Sequence, residues 1–311
     1  MPVIIGIDEA GYGPKLGPLA VGSAAFGADD EGDDLWEVLA PTVARTKRDA
    51  SGRLVVADSK AVYAHRTGLA YLERTVLAFV AARTGRIPTS LRALLQHLCV
   101  DADTLCEGPW WDDVPLPAEA DPQSIETSAR QLASARQEAP FLGMAAQVVR
   151  AGRFNELIEK HRNKSVLLFQ QNMALIERAV ARFEGDLSFV IDKHGGRHYY
   201  QPLLANNFFG RPIRVLAESP VSSSYEVELD GRMLRFTFAE KADAACLPVA
   251  LASMTCKYVR ELFMMCFNAY WCGRVQGLAP TAGYAADATR FIEAVRPLLD
   301  GADTGDMIRA R

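Results

Sequence analysis

The sequence predicts an α/β fold, a mixed β-sheet flanked by helices, with a mainly helical segment inserted in it. Three observations lead there. Short apolar runs at 3–7, 19–26 and 187–191 read as strands. Longer stretches with helical apolar spacing lie at 165–183 and 247–272. The dipeptide Asp230-Gly231 joins two further strand-like runs into a hairpin, the strongest short-range turn signal in the chain. With 311 residues, 49% of them hydrophobic and 23% charged, the chain has room for one large globular domain or a core with a sizeable insertion.

Taken in order, the strands at 3–7 and 19–26 are connected by Gly11-Tyr12-Gly13-Pro14-Lys15-Leu16-Gly17-Pro18. The acidic stretch 29–34 reads as a solvated loop. Leu54-Val55-Val56 leads to Asp58-Ser59-Lys60, and residues 66–83 have helical spacing that Asp58 or Ser59 could cap. Residues 91–100 read as a helix, and the acidic, proline-rich 107–122 around Trp110-Trp111 as a loop. Helical character returns over 123–161, interrupted at Pro140. The tryptophan pair reads as packing against the core, with a base-stacking platform as the functional rival. Asn163 or Ser165 can start the helix over 165–183. The strand 187–191 then ends on Asp192, the second strand after 3–7 to deliver a carboxylate at its C-terminal end, where ligands gather in open sheets. Strands at 212–217, 225–229 and 233–238 follow. Glu240-Lys241-Ala242-Asp243 leads into the long apolar helix 247–272, and 285–299 closes as a helix.

Several residue types exclude chemistries. The six cysteines form no C-x-x-C pair, and four lie in or near the helix at 247–272, where a reduced thiol acts as a small hydrophobe. A zinc site is not expected. His194 and His198 flank Gly195-Gly196-Arg197, but the glycines break the helical alignment a metal pair needs. A polar loop with Arg197 near phosphate is the preferred reading, with a proton-shuttling histidine as the rival. The net charge of −4 argues against a general polyanion binder, though a local basic rim can coexist with an acidic site. No apolar run reaches the length of a membrane span and the start lacks a signal-like pattern, so a cytoplasmic location is expected. Adjacent carboxylates Asp8 and Glu9 at the end of a buried strand need a cation, a proton or a hydrogen-bond partner.

The string Asp8-Glu9-Ala10-Gly11-Tyr12-Gly13-Pro14, with Gly17-Pro18 following, resembles the opening motif of the type 2 ribonucleases H, bacterial ribonuclease HII in particular. Asp58-Ser59-Lys60, Val190-Ile191-Asp192 and the segment 250–261 match in the same order, and Gly283-Tyr284 matches more weakly. The resemblance covers 1–83 and 163–300. It implies a ribonuclease H-like core in two parts, 1–84 and 163–311, separated by a helical subdomain or lid at 85–162.

By that resemblance Asp8, Glu9, Asp192 and Glu261 are the catalytic acids and the ligands of two Mg2+ or Mn2+ ions. Four crowded carboxylates raise one another's pKa unless cations neutralise them, and oxygen-only donors suit these ions. The implied substrate contacts are Gly11, Tyr12, Gly13, Ser59, Lys60, Arg197, Lys257 and Tyr284. The implied activity is hydrolysis of the RNA strand of RNA/DNA hybrids, or of the phosphodiester at ribonucleotides embedded in DNA, leaving 5′-phosphate and 3′-hydroxyl ends. Tyr12 stands where the family carries a cation, and Glu261 is one methylene longer than the family's Asp. Another nucleic-acid substrate, or a binding protein without turnover, is therefore the alternative. Lys257 and Glu261 are also spaced for a helical ion pair. Adjacent strand residues face opposite sides, so Asp8 and Glu9 are expected to share a site only if the strand ends there.

Overall fold

The computed structural model describes residues 1–63, 68–135, 139–299 and 301–310. In chain order, strands β1 (Val3–Ala10) and β2 (Leu19–Gly27) precede helix α1 (Leu35–Val38) and a two-stranded parallel sheet of β3 (Val43–Ala44) and β4 (Leu54–Val55). Helices α2 (Ser59–Val62), α3 (Ala70–Thr84), α4 (Leu91–Leu98), α5 (Ala102–Leu105) and α6 (Pro122–Ser134) lead to β5 (Phe141–Val149). Helices α7 (Ala151–His161) and α8 (Lys164–Arg182) then lead to β6 (Leu187–Asp192) and α9 (Gln201–Asn207). Strands β7 (Ile213–Glu218), β8 (Ser222–Leu229) and β9 (Arg232–Ala239) are followed by α10 (Ala242–Ala245), α11 (Leu247–Cys272), α12 (Ala285–Val295) and α13 (Gly301–Met307). The expected helix at 66–83 begins outside the described residues, and within them it runs from Ala70.

Seven strands form one mixed sheet in the order β5-β2-β1-β6-β9-β8-β7. Strands β1, β6 and β9 run parallel at its centre, and the outer pairings are antiparallel. Alternation along β1 feeds two cores. Ile4 faces a layer built from α3, α4 and α11, while Val3, Ile5 and Ile7 face α7 and α8. The hairpin β8–β9 turns at Asp230 and Gly231, both at positive φ (52° and 80°), as a two-residue primed turn requires.

Helix α11 lies directly on β1 and β2 because two glycines admit it. A Cβ on Gly6 would stand 2.1 Å from Pro248 C and Val249 N, and one on Gly22 would stand 2.7 Å from Cys256 Sγ. The helix is buried along most of its length, which fits an apolar sequence interrupted only around Lys257, Arg260 and Glu261.

One expected element is corrected. Residues 141–149 are a strand and not a continuation of helix; residues 136–138 of that stretch lie outside the described ones. Strand β5 pairs antiparallel with β2, all of whose residues are buried, and so extends the main sheet. Its Met, Ala and Gln residues are good helix formers, but tertiary pairing overrides that preference. Helices α9 and α13 and the one-turn helices α1, α2, α5 and α10 are additional to the expected set. Trp110 packs among Phe267, Tyr270 and Trp271, and Trp111 on Phe263, the packing reading of the pair. All six cysteines are free thiols. No helix among the described residues is long and apolar enough to cross a membrane.

Candidate active site

Parallel register brings Ile7 level with Ile191, so Asp8 and Asp192 stand side by side on neighbouring strands and on the same face. Asp8 is buried, accepts from the Glu9 amide at 2.7 Å and hydrogen-bonds the hydroxyl of Ser253 on α11. Asp192 accepts from the Ala242 amide at 3.0 Å, which draws in the first turn of α10 and with it Asp243. Asp58 caps α2 through the Lys60 amide at 2.9 Å and shares a hydrogen bond with Asp243. Five carboxyls thus gather at one end of the central strands. Strand pairing stays regular through Glu9 and Ala10. The strand therefore does not end at Asp8, the condition expected for sharing a site, and Glu9 faces the opposite side from Asp8 while its charge stays coupled to Asp8 and Asp192.

The electrostatics record the crowding. Burial, then the charge of Asp192, pushes Asp8 up to about 8. Burial, then Asp8 and Asp192, holds Glu9 well above its ordinary range. Asp192 is raised by burial, against the Ala242 amide and the Lys60 ammonium. Asp243 is raised to about 6 by burial and by Asp58 and Asp192. Lys60 is exposed and lowers the pKa of Glu9, Asp192 and Asp243, so its charge sits at the rim of the acids.

An oxygen-only, mutually repelling donor set fits a hard divalent cation such as Mg2+ or Mn2+ in its chemistry. Among the described residues no three His, Cys, Asp or Glu converge closely enough to hold an ion.

Glu261 stands apart from this cluster. It accepts from Lys257 Nζ at 2.6 Å, from Tyr63 OH at 3.0 Å and from Arg260 Nη1 at 3.2 Å. It lies eight residues beyond Ser253 on α11, roughly 12 Å along the helix axis. The Lys257–Glu261 pair is the helical ion pair its spacing predicted, and Lys257 also sits over the Tyr63 ring at 4.5 Å. The acid of α11's neighbourhood that meets Asp8 and Asp192 is Asp243. Its position four residues before the start of α11, beside a strand end, was the available signal.

The substrate-contact residues divide similarly. The Ser59 hydroxyl is buried against Ser253 Oγ at 3.1 Å and anchors α2 to α11. Gly11, Tyr12 and Gly13 follow the acids directly. Gly11 has φ 85°, and a Cβ there would stand 2.5 Å from Pro18 O. Tyr284, 45% exposed, belongs to the same corner: the Gly283 carbonyl accepts from the Lys15 amide at 2.8 Å, and Arg260 lies 5.4 Å from the Tyr284 ring centre. Tyr12 feels the charges of both Glu9 and Arg197, although burial is the larger cause of its raised pKa. Arg197 donates to Ser165 Oγ at 2.6 Å and lines an open groove with Tyr12, Arg162, Lys164, His198 and Tyr199. His194 is buried and pushed down to about 3, chiefly by burial, which leaves it neutral and unsuited to proton shuttling at neutral pH.

No family model matches the chain, and no curated protein is similar to it. Solved structures are similar. Ribonuclease H2 from Pyrococcus horikoshii is 14% identical, with 98% of this chain and 97% of that one covered and a TM-score of 0.46. A chain of the PCNA:RNase HII complex from Archaeoglobus fulgidus is 14% identical over 99% and 94%, with a TM-score of 0.43. Ribonuclease H3 from Aquifex aeolicus is 15% identical over 98% and 71%, with a TM-score of 0.44. All of these are ribonuclease H structures or a complex containing one. With TM-scores below 0.5, the chain's function has to be read from its own residues.

Proposed function

We propose that this protein is a metal-dependent endoribonuclease that cuts the RNA strand of RNA/DNA hybrids, or DNA at embedded ribonucleotides, leaving 5′-phosphate and 3′-hydroxyl ends. The observation that carries the reading is the crowding of Asp8, Glu9, Asp192 and Asp243 at the carboxyl ends of adjacent parallel strands, each with a raised pKa. These four residues are the oxygen donors that would hold the cations by drawing closer together than they stand here, where no three of them converge to ion-holding distance. A bound divalent ion supplies Lewis acidity toward the scissile phosphate and a water of lowered pKa.

The surrounding residues have separable tasks. Ser253 holds the Asp8 carboxyl, and the Ala242 amide holds that of Asp192. Lys60 places a point charge at the rim of the acids, suited to a phosphate. Arg162, Lys164 and Arg197 give the adjoining groove a basic wall despite the chain's net charge of −4, and Tyr12 and Tyr199 supply ring faces for stacking. The Gly11-Tyr12-Gly13 turn presents backbone close to the acids, where a ribose hydroxyl can be told from a hydrogen.

The test is cleavage of three labelled duplexes with Mg2+ or Mn2+: an RNA/DNA hybrid, DNA with one ribonucleotide, and DNA alone. Cutting confined to the first two and abolished in Asp8→Asn supports the reading. Tight binding of all three without cutting favours the alternative of a nucleic-acid-binding protein.

A further inference from the structure

The segment 305–310 comes back to the site from the other end of the sequence. Ile308 bridges antiparallel to Leu16, and the Arg309 amide donates to Lys15 O at 2.9 Å. Asn155 on α7 ties the segment down, donating to Gly305 O at 2.9 Å and Ile308 O at 2.8 Å and accepting from the Ala310 amide at 2.6 Å. The guanidinium of Arg309 is thereby buried 3.8 Å from the centre of the Phe154 ring. It forks onto two consecutive carbonyls, donating to Gly11 O and, at 3.1 Å, to Tyr12 O.

Among the described residues no carboxylate forms an ion pair with Arg309. Its charged neighbour is Arg260, a second guanidinium, itself fully buried. A buried cation without a counter-charge is a poor stabilising device. What Arg309 does accomplish is to fix the direction of two peptide groups. In a trans peptide the C=O and the next N–H point oppositely. With the Gly11 and Tyr12 carbonyls turned toward Arg309, the amides of Tyr12 and Gly13 point away from it. Neither donates to a protein acceptor among the described residues. Space is open there too, since a Cβ on Gly13 would meet nothing within 4 Å.

We propose that Arg309 is a positioning residue: carried in by the 305–310 strap, it aims the Tyr12 and Gly13 amides outward as a paired donor for an oxygen of a ribose-phosphate substrate. The substrate class rests on the nuclease reading above; the orienting role does not. It also accounts for a Tyr at position 12, because the positive charge under the turn is supplied from below.

Two readouts test it on the full chain, in wild type, Arg309→Met, Arg309→Lys and Asn155→Ala. The first is the NMR resonances of the Gly11 and Tyr12 carbonyl carbons and the Tyr12 and Gly13 amides without nucleic acid. They should move in Arg309→Met and return part-way in Arg309→Lys, which keeps the charge but cannot fork. Asn155→Ala, which loosens the strap and leaves the guanidinium in place, should move them in the same direction by less, and it serves if Arg309→Met does not fold. The second is the ratio of affinities, in Ca2+, for a duplex with one ribonucleotide over the all-DNA duplex. That ratio should drop about tenfold in Arg309→Met, the loss of a well-placed hydrogen-bonding partner, whereas a merely structural role changes melting and leaves the ratio alone. Unmoved resonances in a folded variant overturn the orienting role whether or not the protein cuts RNA. Moved resonances with an unchanged ratio overturn the substrate contact. A wild type that binds both duplexes equally overturns the nuclease reading and the assigned ligand together, while the resonances still decide the orientation.

Discussion

Asp8 is the most enclosed of the clustered acids, and its charge is coupled to those of Glu9 and Asp192. Replacing Asp243 with Asn should lower turnover on a ribonucleotide-containing duplex by on the order of a hundredfold or more, the scale of losing a group that acts on developing charge. Glu261→Gln should leave kcat within a few-fold of wild type but cost about 1–3 kcal/mol, because it takes the charge partner from buried Arg260 and part-buried Lys257, seen as a drop in urea midpoint. If Glu261→Gln is instead the inactive variant, the site has been assigned to the wrong acid. Three of the four proposed ligands were legible in sequence, because Asp8 and Glu9 lie in the last residues of β1 and Asp192 ends β6, where a one-dimensional pattern and a three-dimensional position coincide. Asp243 was hidden, because a short polar string before a helix looks like any surface connection. Glu261 was favoured by alignment alone, and helix rise removes it from the cluster. Arg309 had no local signal, since its role depends on contacts nearly the whole chain away, with Gly11 and Tyr12.

Among the elements, α11 and α3 hold the site's frame. Gly6→Ala would put a methyl into the backbone of the first turn of α11, a fixed neighbour, so it should destabilise by about 1–3 kcal/mol or more. Because α11 also carries Ser253, the same substitution should weaken the site along with the fold, measurable as a lower urea midpoint and lower kcat together. Glu73 on α3 is fully buried and ties three elements together. It accepts from the amides of Ala118, Glu119 and Ala120, each at 2.7 Å, and from Tyr258 OH on α11 at 2.6 Å. Glu73→Ala strands three amides and a phenol at once and should cost about 3–5 kcal/mol. An effect below 1 kcal/mol would mean that the 118–120 segment is not held by this carboxylate. The long helices and the central strands were legible because their apolar periodicity is strong. Strand β5 was not, because its composition favours helix and only the presence of a fully buried β2 beside it makes a strand the better choice.

At the scale of the whole molecule, an unneutralised acid cluster makes stability depend on pH in an unusual direction. Asp8 and Asp243, with pKa values raised from 3.8 to about 8 and about 6, bind protons in the folded state that the unfolded chain has already released. Between the unfolded and folded values the native state holds more protons, so unfolding free energy falls as pH rises through that window. The contribution is fully present below about 4 and lost by about 8. Carboxylates with depressed pKa, such as Asp287 with its Thr281, Ala282 and Arg290 partners, act oppositely, gaining stability as pH rises; but that window lies at or below the ordinary carboxylate range. Buried His194, held down to about 3, also opposes the acids up to about pH 6.5, because the unfolded chain protonates it, so the acid cluster sets the slope from about pH 6.5 to 8. Metal-free protein should melt at progressively lower temperature over that range. Asp8→Asn, which removes an acid raised to about 8 and its charge, should flatten the slope and raise Tm at pH 8 even as it abolishes cutting. Mg2+ or Mn2+ should raise the Tm of wild type more at pH 8 than at pH 5, since a cation competes with protons for the same oxygens and stabilises only what it binds. A divalent cation that gives the same Tm increment at both pH values, and an equal increment in Asp8→Asn, would place its binding elsewhere than at these carboxylates.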